Sequence, residues 1–292
     1  MKTKAAVAAL CIGFIVLAFL DINSFVAGGR GGFELFYLNI LPVLFPFFFI
    51  TSVLTGIGFF SAKRPWMGVL GLSLLGGYPT SARMIAELYE NGQMSKSQAH
   101  KTATFTSTAS PIFTIATVGT MVGSIRFGVF LFIAMVVGSL LNGLLYKNIK
   151  AKNDLSLCRG DAPSPVSTFD IIANALQSAI TSILSVGGLV VIFYIIGHQI
   201  DAVFNLSPVL DVILSGFLEM TAGIFRLDLA TNSASVTLVA GAAILSFGGL
   251  CVAFQGFLFL RRTEMRFRFY LLYKTTHTIL AVGVALLLLP LL

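Results

Sequence analysis

The residues that could do chemistry in this chain are polar groups set inside long apolar runs. Glu219 is first among them, in Leu218-Glu219-Met220-Thr221-Ala222-Gly223. A carboxylate at membrane depth costs roughly 2.5–3.5 kcal/mol even on lenient insertion scales, so it usually has a task and a partner. It can bind a cation, hold a proton, or hydrogen-bond a solute, with Thr221 adding a hydroxyl two residues on. A second group lies in Gly76-Gly77-Tyr78-Pro79-Thr80-Ser81-Ala82-Arg83, which offers the phenol of Tyr78 and the hydroxyls of Thr80 and Ser81 at the start of a helix. Free N–H donors at a helix start attract anionic or carbonyl groups, unless the hydroxyls cap their own backbone. Two further interruptions complete the set. Thr106-Ser107-Thr108-Ala109-Ser110-Pro111 puts Ser110 before a proline, and Ser246-Phe247-Gly248-Gly249 is followed two turns on by Gln255.

No catalytic or metal constellation accompanies them. Cys11, Cys158 and Cys251 are far apart, and His100, His198 and His277 each lie near the end of an apolar run. HExxH, GxSxG and P-loop patterns are absent from the sequence. The expectation is a protein that is not an enzyme, with no metal and no cofactor.

The elements that must position these groups are set by composition. The chain has 292 residues, 57% of them hydrophobic and 11% charged, and a mean hydropathy of +0.93. Soluble domains carry roughly 25% charged residues, so lipid must be the solvent for much of this surface. The net charge of +7 does not point to nucleic acid, because the basic residues sit in short clusters between apolar runs, as in cytoplasmic loops. Lys2 and Lys4 precede the apolar run Ala5 to Leu20, which reads as a retained signal-anchor helix.

A crossing helix needs about 20 apolar residues. Spans are expected over 5–24, 38–60, 107–122, 127–146, 171–197, 234–260 and 270–291. The stretches 66–89 and 206–227 break near their middles, and each half, about ten residues, is long enough for only half a bilayer. Both read as re-entrant hairpins. Charge supports this. With the N-terminus in the cytoplasm, the inside holds Lys2, Lys4, Lys63, Arg64, Arg83, Lys96, Lys101, Lys147, Lys150, Lys152, Arg159, Arg261, Arg262, Arg266, Arg268 and Lys274. The outside holds Arg30, Arg126 and Arg226, so sixteen of the 19 Lys and Arg are inside.

The fold expected is an all-α polytopic membrane protein, with about seven transmembrane helices plus two re-entrant helical hairpins in an inverted-topology repeat. Residues 1–37 form the signal-anchor helix and connector, 38–146 the first repeat, 147–169 a cytoplasmic linker, and 170–292 the inverted second repeat. The chain is expected in the cell membrane as a multi-pass protein, N-terminus cytoplasmic and C-terminus extracytoplasmic. Residues 92–104 read as an interfacial helix capped by Ser95. The basic residues of 261–268 anchor their loop to anionic lipid.

At the interruptions the sequence resembles the sporulation integral membrane protein YlbJ family, within the wider nucleoside-recognition (Gate) group. The resemblance rests on Gly77-Tyr78-Pro79 with Ala82-Arg83, on Glu87-Leu88-Tyr89 with Asn91-Gly92, on Ser110-Pro111-Ile112-Phe113 and Val118-Gly119, and on Glu219-Met220-Thr221-Ala222-Gly223. It ends with Ser246-Phe247-Gly248-Gly249-Leu250 and Gln255. The family pattern has glycine where Ser81 stands, lysine where Arg83 stands, and glycine where Ser110 stands. The resemblance implies a transport-like scaffold.

The function expected is secondary transport of a small polar solute through a site between the two hairpin tips. That site is built by Tyr78, Thr80, Ser81, Ser110, Glu219, Thr221, Ser246 and Gln255, with a proton or sodium ion as the coupling partner. The competing reading is a non-transporting membrane protein of sporulation or envelope assembly using the same scaffold. The lipid bilayer is a partner in either case, and the scaffold also admits a homo-oligomer.

Overall fold

A computed structural model describes residues 2–60, 64–121, 124–150 and 167–292. Among these the regular structure is all helical. The middle of the expected linker, with Cys158, Lys152 and Arg159, lies outside the described residues, as does Lys63.

Helix α1 covers Lys2–Leu20. Asp21 then starts the next helix, its carboxylate accepting from the Ser24 backbone N–H at 3.0 Å and the Ser24 hydroxyl at 2.6 Å. Helix α2 runs without a break over Ile22–Gly56, with a π-helical stretch at Leu35–Ile40. The expected boundaries are therefore corrected here: the first span ends at Leu20, and residues 25–37 are helix rather than connector. The glycines that suggested a break are contact surface. A Cβ on Gly28 would lie 3.2 Å from His198 Cβ, and one on Gly32 3.0 Å from Val191 Cα. Small residues one turn apart let two helix backbones approach closely.

Two short helices follow, α3 (Pro65–Gly76) and α4 (Thr80–Glu90), meeting at Gly77-Tyr78-Pro79. Helix α5 (Lys96–Ala103) has the expected Ser95 cap, as a full capping box with Gln98. Next come α6 (Ile112–Met121), α7 (Ile125–Leu145) and α8 (Thr168–Phe204). A second set of short helices is α9 (Pro208–Leu218), α10 (Met220–Phe225) and α11 (Leu227–Ala230). Helices α12 (Ala234–Phe247) and α13 (Gly249–Leu260) are separated at Gly248, where φ is +77°. Helix α14 (Phe267–Leu288) closes the chain.

Five helical segments among the described residues are long and apolar enough to cross a membrane: Ile22–Gly56, Ile125–Leu145, Thr168–Phe204, Ala234–Thr263 and Phe267–Leu291. Their outer faces carry exposed Leu144, Leu184, Ile279 and Leu287, a surface suited to lipid rather than water. The chain is a multi-pass integral membrane protein. The expected span 107–122 is not one helix. Residues 104–110 are non-helical, and only Ile112–Met121 is helical. Its hydroxyl-rich first half is held by side chains of α7 and α14 instead of its own backbone ladder, as described below.

The core has two apolar clusters. One packs Phe48, Ile85, Leu88, Ala179 and Val186 from α2, α4 and α8. The other packs Leu131, Met135, Leu238, Leu245 and Ala285 from α7, α12 and α14.

Two cations assigned to the cytoplasmic side by sequence lie inside the fold. Arg83 is 1% exposed and Lys274 is 2% exposed. Arg83 ties α4 to α2 and α8. Its guanidinium donates to the Phe48 carbonyl at 2.5 Å, Ser52 Oγ at 2.5 Å, Ser178 Oγ at 2.9 Å and Ser182 Oγ at 3.0 Å. It pairs with Glu87 one turn on at 2.8 Å and lies over the Phe48 ring at 4.8 Å. Ser52 in turn donates to Glu87 at 2.8 Å. Near the opposite end of α4, outside the apolar layer, Arg262 pairs with Glu90 and Lys96 with Glu264, so α4 and α5 dock on the turn after α13. The Lys96 hydrogen bond holds the Glu264 carboxyl below its ordinary range.

Removing one member of a buried pair leaves the other uncompensated, at a cost of about 3–5 kcal/mol. Arg83→Met is expected to lower thermal stability in detergent by that order. The double variant Arg83→Met/Glu87→Met is expected to recover part of the loss. A double-mutant cycle by thermal unfolding checks this, and additive losses would show that the pair is not coupled.

Candidate functional site

The polar groups singled out by sequence sit on backbone breaks, and these breaks pack against one another in pairs. Gly77 lies against the non-helical segment 104–110: a Cβ there would stand 2.8 Å from the Ser110 backbone nitrogen. Its φ of +70° is also one that L side chains rarely adopt. Gly249 lies against the second tip in the same way, with a Cβ position 3.0 Å from the Leu218 carbonyl oxygen and 3.1 Å from the Glu219 nitrogen. Each tip is thus seated on a break in a neighbouring segment. The two pairs are bridged by Tyr78, whose hydroxyl donates to the Leu245 carbonyl just before the Gly248 break.

Non-helical backbone at membrane depth is tolerated where the protein itself satisfies it. Asn142, fully buried, donates to the carbonyls of Thr104 at 2.7 Å and Tyr273 at 3.1 Å, and accepts from the Thr276 hydroxyl at 2.7 Å. Ser139 donates to the Phe105 carbonyl at 2.6 Å, and the Ala109 N–H meets Met135 Sδ at 3.3 Å. Helix α7 therefore supplies donors that an unbroken third helix would not have needed.

Between the tips lies a cavity of ≈ 170 Å³. Of the eight expected site residues, Tyr78, Ser110, Glu219, Thr221 and Gln255 line it. Thr80, Ser81 and Ser246 do not. Thr80 and Ser246 are buried with unpartnered hydroxyl oxygens outside the cavity wall. The apolar part of the wall includes Leu44 and Val190 from one core cluster and Ala109 and Val252 from the other, so the cavity sits where the clusters meet.

Glu219 is 4% exposed and has a local structural role as well. It is the N-cap of α10, with Oε2 accepting from the Ala222 N–H at 2.8 Å. The donor set is thus the start of its own helix, and the carboxylate presents its remaining capacity to the cavity. Gln255 donates to Cys251 Sγ at 3.1 Å, which leaves its carbonyl for another partner.

Three residues near the site were not singled out from the sequence. Asn39 lines the cavity from the π-helical stretch of α2. Asn142 holds the non-helical segment. Lys274 points its ammonium at Ser107 Oγ, 3.4 Å away, and over the Tyr78 ring at 4.8 Å. It was assigned to a loop because it is close to the start of the last apolar run. The signal that could have found it is its spacing, four residues after Tyr270 and three before His277, which puts three polar groups on one helix face. The second π-helical stretch, Ile112–Val118, also contributes to the wall through Ile112, Phe113 and Thr117. Such stretches are frequent at functional sites.

Comparison with known proteins gives one relative: the sporulation integral membrane protein YlbJ of Bacillus subtilis (strain 168). The chain is 25% identical to it over 310 aligned positions, covering 89% of this chain and 76% of the relative. The chain is therefore YlbJ-like along most of its length. No family model and no solved structure matches it, and the wider Gate grouping remains an expectation from sequence.

The geometry sets an accessibility pattern. In a background lacking Cys11, Cys158 and Cys251, Ser110→Cys and Thr221→Cys are expected to react with a small water-soluble maleimide. Thr80→Cys and Ser246→Cys are expected to stay protected. Mass spectrometry of the labelled protein reads this directly, and equal labelling at all four positions would refute the cavity as drawn.

Proposed function

We propose that the chain is a secondary transporter of a small polar solute, with its binding site in the cavity between the two tips. The observation that carries this reading is the convergence of Tyr78, Ser110, Glu219, Thr221 and Gln255, from four separate backbone breaks, on one cavity. Broken helices whose ends meet at a membrane-buried site are a recurring plan of secondary transporters.

In this reading α3–α4 is a re-entrant hairpin from the cytoplasm, and α9 with α10 and α11 is one from outside. Segment 104–121 completes a crossing, and α1 with the five long segments brings the crossings to seven. Residues 38–146 and 170–292 are then inverted repeats. The tip-on-break packing at Gly77 and at Gly249 supports this, because each repeat places its tip on an interruption in a broken segment of its own repeat. With Arg83 and Lys274 taken out of the loops, the remaining basic residues still favour a cytoplasmic N-terminus and an extracytoplasmic C-terminus. The two repeats alternate access by tilting about the cavity, with a proton or sodium ion as coupling partner. The protein is a carrier in this reading, with no chemical conversion of the solute.

A second reading is favoured by the relative's name, which describes a sporulation membrane protein. A non-transporting protein of sporulation or envelope assembly would keep the scaffold and use its loops or lipid face for partners.

Uptake into proteoliposomes across a panel of small polar metabolites separates the two. Under the transport reading, Glu219→Gln and Gln255→Leu each reduce uptake of the identified solute by roughly tenfold, about the worth of one good hydrogen bond. Uptake that persists unchanged in both variants would overturn the site. Complementation by tip variants but not by loop variants would favour the assembly reading.

A further inference from the structure

Glu219 lines two cavities. Besides the larger one, it borders a pocket of ≈ 10 Å³ walled by Tyr194, His198, Ser215, Leu218 and Arg226 among others. That volume matches about one water molecule. The wall has the polar groups a water needs. His198 Nδ1 is buried and has no hydrogen-bond partner among the described residues. Ser215 accepts from Arg226 and donates to Asp211 at 3.0 Å, and Arg226 pairs with Asp211 at 3.3 Å. His198 is near the end of α8, against the start of α2, where Asp21 interacts with it electrostatically and Gln199 holds the Asp21 carbonyl at 2.9 Å. A line of polar groups therefore runs from the end of α8 to the carboxylate between the cavities.

The geometry points to a proton route from that end of the molecule to Glu219, with one water in the small pocket and His198 as the relay. This inference deepens the transport reading and rests on it: it makes the coupling ion a proton and makes Glu219 the group where proton and solute meet. On release, the Glu219 O–H bond breaks and its proton passes to the water. The water passes one of its own protons to His198 Nδ1, giving a carboxylate and an imidazolium. The imidazolium then loses a proton to bulk water, and loading runs in reverse. The charged and titratable groups around His198 are Asp21 at the start of α2, Asp201 on its own helix, Asp211 and Arg226 on the second set of short helices, and Glu219. The Arg226–Asp211 pair keeps the guanidinium's charge compensated, so the transient imidazolium is set mainly against Asp21.

Proton and deuteron exchange at Glu219 tests this without any solute. Infrared difference spectra of the full-length protein in liposomes, stepped in pH and into heavy water, would follow the carboxylic acid C=O band assigned by its loss in Glu219→Gln. The wild type is expected to show that band and to exchange it quickly. His198→Phe, which keeps the ring volume, and His198→Gln, which keeps a hydrogen-bonding group, are both expected to slow exchange by roughly tenfold or more. The melting temperature of each variant in detergent confirms that it is folded. No carboxylic acid band at any pH, or equal exchange in wild type and both variants, would overturn the route. Intact exchange behaviour combined with no uptake of any solute would instead count against the transport reading alone.

Discussion

Arg83 carries five N–H donors into a region without water, and the packing of the first half of the chain is arranged around using them. Two serines of α8, a serine and a carbonyl of α2, and Glu87 on its own helix take up the fork. A guanidinium suits this position because its planar fork can address several partners at once, which a single ammonium cannot. The result is that α4 is fixed in rotation and depth against the two longest helices. Since Tyr78 is only five residues before Arg83, fixing α4 also fixes the tip.

The same logic is repeated at each interruption, with different chemistry. Where the third crossing loses its helical ladder, Asn142 and Ser139 supply the donors. Where α9 ends, the Glu219 side chain caps the next helix start. Where α12 ends, Gly248 and Gly249 remove side chains so that the second tip can sit directly on the break. A cavity with five polar groups is a by-product of these repairs: the groups that satisfy broken backbone are also those that face the gap between the breaks.

The positions of the breaks were legible in the sequence because glycine, proline and hydroxyl residues interrupt apolar runs there. Gly77-Tyr78-Pro79, Glu219 and Gly248-Gly249 each lie where a short helix ends. The first core boundary was not legible, because Gly28 and Gly32 look the same in a sequence whether they turn a chain or pack a helix face. Only the partner helix distinguishes the two. Residues 104–110 were read as helical for the opposite reason: their hydroxyls are uncharged, and hydropathy does not register that the ladder is missing. Charge counting misplaced Arg83 and Lys274 because it assumes that a cation in an apolar chain marks an aqueous edge. Thr80 and Ser246 were correctly placed near the breaks but on the wrong side of them, since a tip's sequence does not reveal which of its hydroxyls face inward.

The two π-helical stretches in the cavity wall, Leu35–Ile40 and Ile112–Val118, have an evolutionary meaning. A π turn accommodates one residue more than an α turn, so each is the trace of a single-residue insertion absorbed without breaking the helix. At 3.6 residues per turn, deleting that residue would rotate everything beyond it by about 100°. The face that now presents Asn39 to the cavity would turn to lipid or to a neighbouring helix. Among related chains, gaps of one residue at these two places would therefore mark lineages with a differently lined cavity on an unchanged scaffold.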